Sequence, residues 1–165
     1  MTKKYSTKII KNNEKALRIY SENVRTERFG EALELGKHLL KVCKKNNGAG
    51  LASIQIGEKD RVCVINVIEP IIMINPFIVW RSVVTIDVKE GCLSLPKKEI
   101  VTRRSRSIKV KYINDQLMPC EKIFGVVPLD KSGEQAILME AVAVQHEIGH
   151  LNAELITDHA VEKYM

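Results

Sequence analysis

At 165 residues with 45% hydrophobic side chains, the chain predicts one domain, 1–165, with enough material for a real core. No apolar run is long enough to cross a bilayer, and four cysteines with neither a C-x-x-C pair nor a secretory leader argue against a disulfide framework. The net charge of +6 is a modest basic excess, compatible with loose association with ribosomal RNA but pointing to no membrane and no specific DNA partner.

Lys3, Lys4, Lys8 and Lys11 open the chain. Glu14 and the lack of an apolar segment exclude a cleaved targeting peptide there. The first helix is expected from Thr26 to Lys45, because Phe29, Ala32, Leu33, Gly36, Leu39, Leu40 and Cys43 recur at i, i+3, i+4 spacing. It should stop where Lys44 and Lys45 meet the C-terminal dipole and Asn46-Asn47-Gly48 supply left-handed positions. Five segments then read as strands: 61–67, 77–80, 83–89, 108–113 and 123–127. Ile108-Lys-Val-Lys-Tyr112 alternates as a half-solvated antiparallel strand does. A second helix begins near Ser132, with Ser132 and Gln135 as N-cap and N3 of a capping box. Ile137, Leu138, Ala141, Val142, Val144 and Ile148 surround much of it, so it should be central and buried. The expected fold class is α+β, with antiparallel strands wrapped around that helix.

The central helix carries His146-Glu147-Ile148-Gly149-His150. One turn apart, His146 and His150 project from one face and can reach one ion, while Glu147 is rotated by about 100° toward the ion's open position. This is the H-E-x-x-H pattern of metal-dependent hydrolases. A downstream third ligand is not evident: Ile156 stands where a histidine would be needed, and Glu154, Asp158, His159 and Glu162 have no further helix to bring them across. Upstream, Cys43 lies on a helical apolar stripe, Cys63 lies inside a strand, and Cys120 falls in a polar connection with no assigned role. Cys92 differs, since it follows Glu90-Gly91 at the end of a β-branched run and is placed to point into a cleft.

Three motifs together, Gly48-Ala49-Gly50-Leu51-Ala52-Ser53-Ile54-Gln55, Glu90-Gly91-Cys92-Leu93-Ser94 and Gln145-His146-Glu147-Ile148-Gly149-His150, resemble the signature of the peptide deformylase family. The resemblance runs from Ala16 to Asp158. It implies hydrolysis of the N-formyl group from the initiator methionine of nascent polypeptides, in the cytoplasm of a bacterium or of a phage-infected host. It also implies one Fe2+ per chain, replaceable by Zn2+, Ni2+ or Co2+, held by Cys92, His146 and His150. Glu147 would be the general base and later acid; Gln55 and the backbone N–H of Leu93 would be oxyanion donors. Gly48, Ala49, Gly50, Val88, Gly91, Val142 and Ala143 would contact substrate, and Glu90 with Arg104 would orient His146. An H-E-x-x-H zinc peptidase and a catalytically silent, ribosome-associated metal protein are the competing readings.

Three departures from the family pattern stand out. Gly149 replaces the usual Asp, the stretch 114–133 is longer than the usual hairpin, and only 157–165 remain where many members carry a C-terminal helix. That shortened end suits a bacteriophage or organelle-derived enzyme as well as a bacterial one. It also leads us to expect only weak, salt-dependent ribosome association through dispersed residues such as Lys3, Lys4, Arg103 and Arg106.

Overall fold

In the computed structural model, which describes residues 3–164, a short helix α1 (Glu14–Leu17) and a 3-10 turn (Thr26–Arg28) lead into α2 (Phe29–Lys45). The chain continues through β1 (Gly50–Ala52), a 3-10 turn (Ser53–Ile56), β2 (Val62–Ile65), β3 (Ile71–Arg81), β4 (Thr85–Cys92) and β5 (Leu95–Ser105). It then forms β6 (Ile108–Ile113), β7 (Pro119–Phe124) and α3 (Glu134–Leu151), followed by 3-10 turns at Ile156–His159 and Glu162–Tyr164. The five-stranded sheet has the order β1-β2-β3-β6-β7, and β4 pairs only with β5 in a separate ribbon. Every pairing between these strands is antiparallel, with one isolated parallel bridge at Glu22 and Asp60, and the fold is α+β.

β2 shows why α2 and α3 take opposite faces of the sheet. Its four residues are all fully buried, and successive side chains of a strand point to opposite faces. Val62 and Val64 join Ala32, Leu35, Leu39 and Val42 of α2 in one apolar cluster. Cys63 and Ile65 join Ala141, Val144, Ile148 and Leu151 of α3 in the other. A strand apolar on both sides carries no alternation, which is the price of covering both faces. β4 and β5 close the far side of α3, where Gln145 Nε2 donates to Ser105 O at 2.9 Å and Gln145 Oε1 accepts from Ser105 N at 3.1 Å.

Several boundaries differ from expectation. α2 ends with Asn47 left-handed (φ 53), and Gly48 is not needed for that role. The capping box at α3 is absent: Gly133 (φ 67) is the N-cap and makes no side-chain cap, while the Ser132 amide is already bonded to Asp130 Oδ1. The short strand expected at 77–80 is part of an eleven-residue strand with a register shift around Asn75 and Pro76. Cys120, expected in a loop, pairs with Tyr112 inside β7. In the long 114–133 stretch, Asn114 Oδ1 accepts from Gln116 N and Met118 N, closing a tight turn before β7.

Arg61, entirely buried, fastens the end of α3 to the sheet. Its guanidinium donates to Pro76 O (3.1 and 2.9 Å), to Leu151 O (3.1 Å) and to Asn152 Oδ1 (2.8 Å). It also lies 4.1 Å from the Phe77 ring centroid. No carboxylate balances it among the described residues; the acceptors are Pro76 O of β3 and two oxygens at the negative end of α3, Leu151 O and Asn152 Oδ1, which favours a cation there. Arg61→Ala removes the guanidinium from Pro76 O and Asn152 Oδ1, leaves Leu151 O with Ser21 N alone and opens a void, so urea unfolding should show a loss of about 2–4 kcal/mol. A loss below about 0.5 kcal/mol would mean that water replaces the side chain fully.

Candidate metal centre and active site

α3 brings His146 and His150 to one point, and the β4–β5 hairpin brings Cys92 to meet them. His150 Nε2 lies 3.1 Å from His146 Nε2 and 3.3 Å from Cys92 Sγ, and the three ligand atoms fall within 4.8 Å of one another. Edges of a tetrahedron built on Zn–N and Zn–S bonds are roughly 3.4–3.6 Å, so the cluster fits one ion with little movement. Cys92 reaches this point because the hairpin turns immediately after it, pairing Cys92 with Leu95 beyond a register shift at Gly91.

Electrostatics favour a cation as well. His146 Nδ1 donates to Glu90 Oε1 at 2.8 Å, which leaves Nε2 of the neutral ring free to bind metal. Burial favours the neutral form of His146, but hydrogen bonding to Cys92 and Glu90 outweighs it and raises the pKa. The ring therefore sits amid net negative charge. Burial, with the positive fields of His146 and Arg104, pushes His150 well down, so it is neutral. Its Nδ1 is buried without a partner.

Glu90 is itself fixed. Although burial opposes its ionisation, hydrogen bonds from His146 and Arg104 hold it at about 2. Arg104 donates to it at 2.7 and 3.1 Å, and Thr102 Oγ1 donates to the same carboxylate. The Glu90–Arg104 pair is only 5% exposed on each side chain, which makes it a buried orienting pair and not the surface bridge of small worth.

Glu147 lies beside the cluster, 4% exposed. Its Oε2 has no partner, and burial raises its pKa to about 7. Gly50 packs directly on this side chain and on β2: a Cβ there would come 2.7 Å from Glu147 Cγ, 2.8 Å from Oε1 and 2.9 Å from Val64 O. Gln55 Oε1 accepts from Ala52 N at 2.9 Å, turning Nε2 toward Ser94 Oγ (3.1 Å) and Cys92 Sγ (3.9 Å).

These groups form the floor of a cavity of about 160 Å³. Ala49, Val88, Met139, Val142 and Ala143 make its apolar wall, and Gly50, Gly91 and Leu93 also line it. Gly48 does not. It faces an adjoining groove, with a Cβ there meeting Leu93 Cδ1 at 3.0 Å and Cys43 Sγ at 3.1 Å. Sequence reasoning missed Met139, Thr102 and Ser94. Only their neighbours in space mark them, although Ser94 follows the cysteine motif directly.

A largely buried Cys-His-His cluster, with a carboxylate next to one histidine and an apolar cavity above, has the make-up of a metal-dependent hydrolase. Residues 6–164 match the polypeptide deformylase family model. The chain is 35% identical over 133 residues to the peptide deformylase of Dictyoglomus thermophilum, covering 79% of this chain and 77% of that one. Its fold is similar to a probable peptide deformylase from Synechococcus phage S-SSM7, with a TM-score of 0.78, 30% identity and coverage of 93% and 99%. It is also similar to a class I type b peptide deformylase from Acinetobacter baumannii, with a TM-score of 0.79, 28% identity and coverage of 92% and 97%. The chain belongs to the polypeptide deformylase family, metal-dependent hydrolases that remove the N-formyl group from nascent peptides.

The Gly50 contact yields a direct test. Gly50→Ala should displace the Glu147 side chain and press β1 away from Val64 O of β2, while Cys92, His146 and His150 lie on β4 and α3, so metal content should stay near one ion per chain as turnover falls at least tenfold. Unchanged turnover would show that Glu147 accommodates the methyl group without loss.

Proposed function

We propose that Glu147 is the proton-transferring group of formyl hydrolysis and that Cys92, His146 and His150 hold one metal ion. The unpartnered, buried Oε2 of Glu147 beside the three-ligand cluster carries this reading. An ion held by these three residues would supply Lewis acidity to the formyl group and to the attacking water. Glu147 takes a proton from that water and returns it to the amine as the C–N bond breaks, releasing formate. The Gln55 amide and the backbone N–H of Leu93 donate to the oxygen that gains charge. Glu90, held by Arg104, keeps the His146 lone pair aimed at the ion. Ferrous iron is the assigned metal, with Zn2+, Ni2+ and Co2+ as substitutes, because a Cys-His-His set does not itself choose among them.

Ala49, Val88, Val142 and Ala143, with Met139, receive the methionine side chain. Gly91 and Gly50 let the peptide backbone pass close to the strands. On this basis formyl-Met peptides should be preferred over formyl-Ala and formyl-Glu peptides. Glu147→Gln should retain metal yet lose about 10²- to 10⁴-fold in kcat. The assay is formate release by ferrous-loaded protein from formyl-Met peptides, beside acetylated and free peptides. Internal cleavage without formate would establish a peptidase instead, and near-normal kcat in Glu147→Gln would require another base.

We place the activity in the cytoplasm, where formylated chains are made, with the ribosome as a weak electrostatic partner. The basic excess supports this, but Lys3 is paired with Glu58, Arg103 with Asp87 and Arg106 with Glu134. Such pairing weakens the field these residues project. Cosedimentation with ribosomes should therefore be slight at 0.1 M salt and vanish at higher salt; binding that persists would reveal a specific docking surface.

A further inference from the structure

Among the described residues two strand edges remain unpaired at the cavity: β1 pairs with β2 alone, and β4 with β5 alone. Residues from both, Gly50 on one side and Lys89 to Gly91 on the other, line the cavity. An extended peptide can lie between them and use their free backbone groups. Its first side chain fills the apolar cavity, so the following residues need a way out. A groove of about 570 Å³ opens from Ala49, Gly91, Cys92 and Leu93, which it shares with the cavity, and runs outward between Asn47–Gly48 and the segment 95–99.

The charge along that groove is not balanced. Lys97 and Lys98 are exposed on its wall. Among the described residues neither forms an ion pair. Glu99, the one acidic residue lining the groove, is held by Lys89 at 2.6 Å. The β5 backbone sets this arrangement, since Lys97 takes a left-handed conformation (φ 65) where β5 leaves the register between Cys92↔Leu95 and Gly91↔Glu99. Two lysines adjacent in sequence thus line the path open to the second and third residues after the formylated methionine.

We propose that this groove is the subsite for those residues and that Lys97 and Lys98 make it selective for acidic side chains and against basic ones. The inference rests on the deformylase reading. Because both lysines are solvated, their effect is a modest, salt-screened one expressed in KM.

The experiment is formate release from formyl-Met-Ala-Asp, formyl-Met-Ala-Ser and formyl-Met-Ala-Lys by metal-loaded protein at low and high salt. At low salt kcat/KM should fall in the order Asp, Ser, Lys, with about three- to tenfold between the ends. At about 1 M salt the spread should shrink to less than twofold. The charge reversal Lys97→Glu with Lys98→Glu should invert the order, which simple damage to the fold cannot do. Equal kcat/KM for the Asp and Lys peptides, or an order that survives the reversal, overturns the subsite. No formate from any of the three peptides would instead overturn the reading on which it rests.

Discussion

The structure depends on keeping a cluster of ionisable groups dry inside a helix whose surroundings are apolar. His146, Glu147 and His150 project from α3 into a region where Glu147 is 4% and His150 1% exposed. Burying charge costs several kcal/mol per group unless it is compensated. The compensation comes from β4 and β5: Glu90, Thr102 and Arg104 form one buried hydrogen-bonded unit with His146. Among the described residues this leaves two buried polar atoms of α3 unpaired there: Glu147 Oε2, on the proposed proton carrier, and His150 Nδ1, the ring nitrogen that does not face Cys92 and His146. The two-stranded ribbon is therefore a source of ligand, counter-charge and cavity wall together, since Val88, Glu90 and Cys92 alternate along β4 toward the site.

Such a site works only if α3 cannot slide, because a shift of one ångström would spoil ligand geometry. Side chains adjacent to the ligands secure it. Gln145, next to His146, satisfies its amide with Ser105 N and O, Ala141 O and Arg81. Leu151, next to His150, gives its carbonyl to Arg61 and to Ser21 N. The first anchor holds the helix to β5, and the second holds it to β2 and β3. Gly50 then limits where Glu147 can rest, so the candidate ligand cluster and the proposed base are placed by different elements.

The site was more legible in the sequence than the fold around it. Its chemistry lies in three short motifs whose residue types are dictated locally: two histidines one turn apart, a thiol after a flexible strand end, an amide after a glycine turn. The apolar period of α2 and the buried character of α3 were equally visible. β5 was not, because Leu95–Ser105 carries Pro96, two lysines and several exposed positions; its strand character comes from pairing with β4, a non-local interaction. β1 escaped notice for the opposite reason, as three buried residues carry no period. The α3 start misled because Ser132 and Gln135 have capping-box spacing while the Asp130 turn had already claimed the Ser132 amide.

Gly149 shows how a local rule can be broken without leaving a void. Glycine within a helix costs about 1 kcal/mol relative to alanine, and the space beside it faces the ligand His150. In this chain Glu154 turns back over that space: a Cβ at 149 would lie 3.5 Å from Glu154 Oε2 and 3.7 Å from its Cβ. The carboxylate is held there by His159 Nε2 at 2.9 Å, and the Glu154 amide donates to Gly149 O at 2.8 Å, closing the helix end. An acidic side chain at 149 would approach this carboxylate, a like-charge contact that the 41% exposure of Glu154 screens in part. The glycine and the returning loop are thus coupled, so the outer side of the metal centre is covered by the chain beyond α3 and not by a side chain from the helix itself.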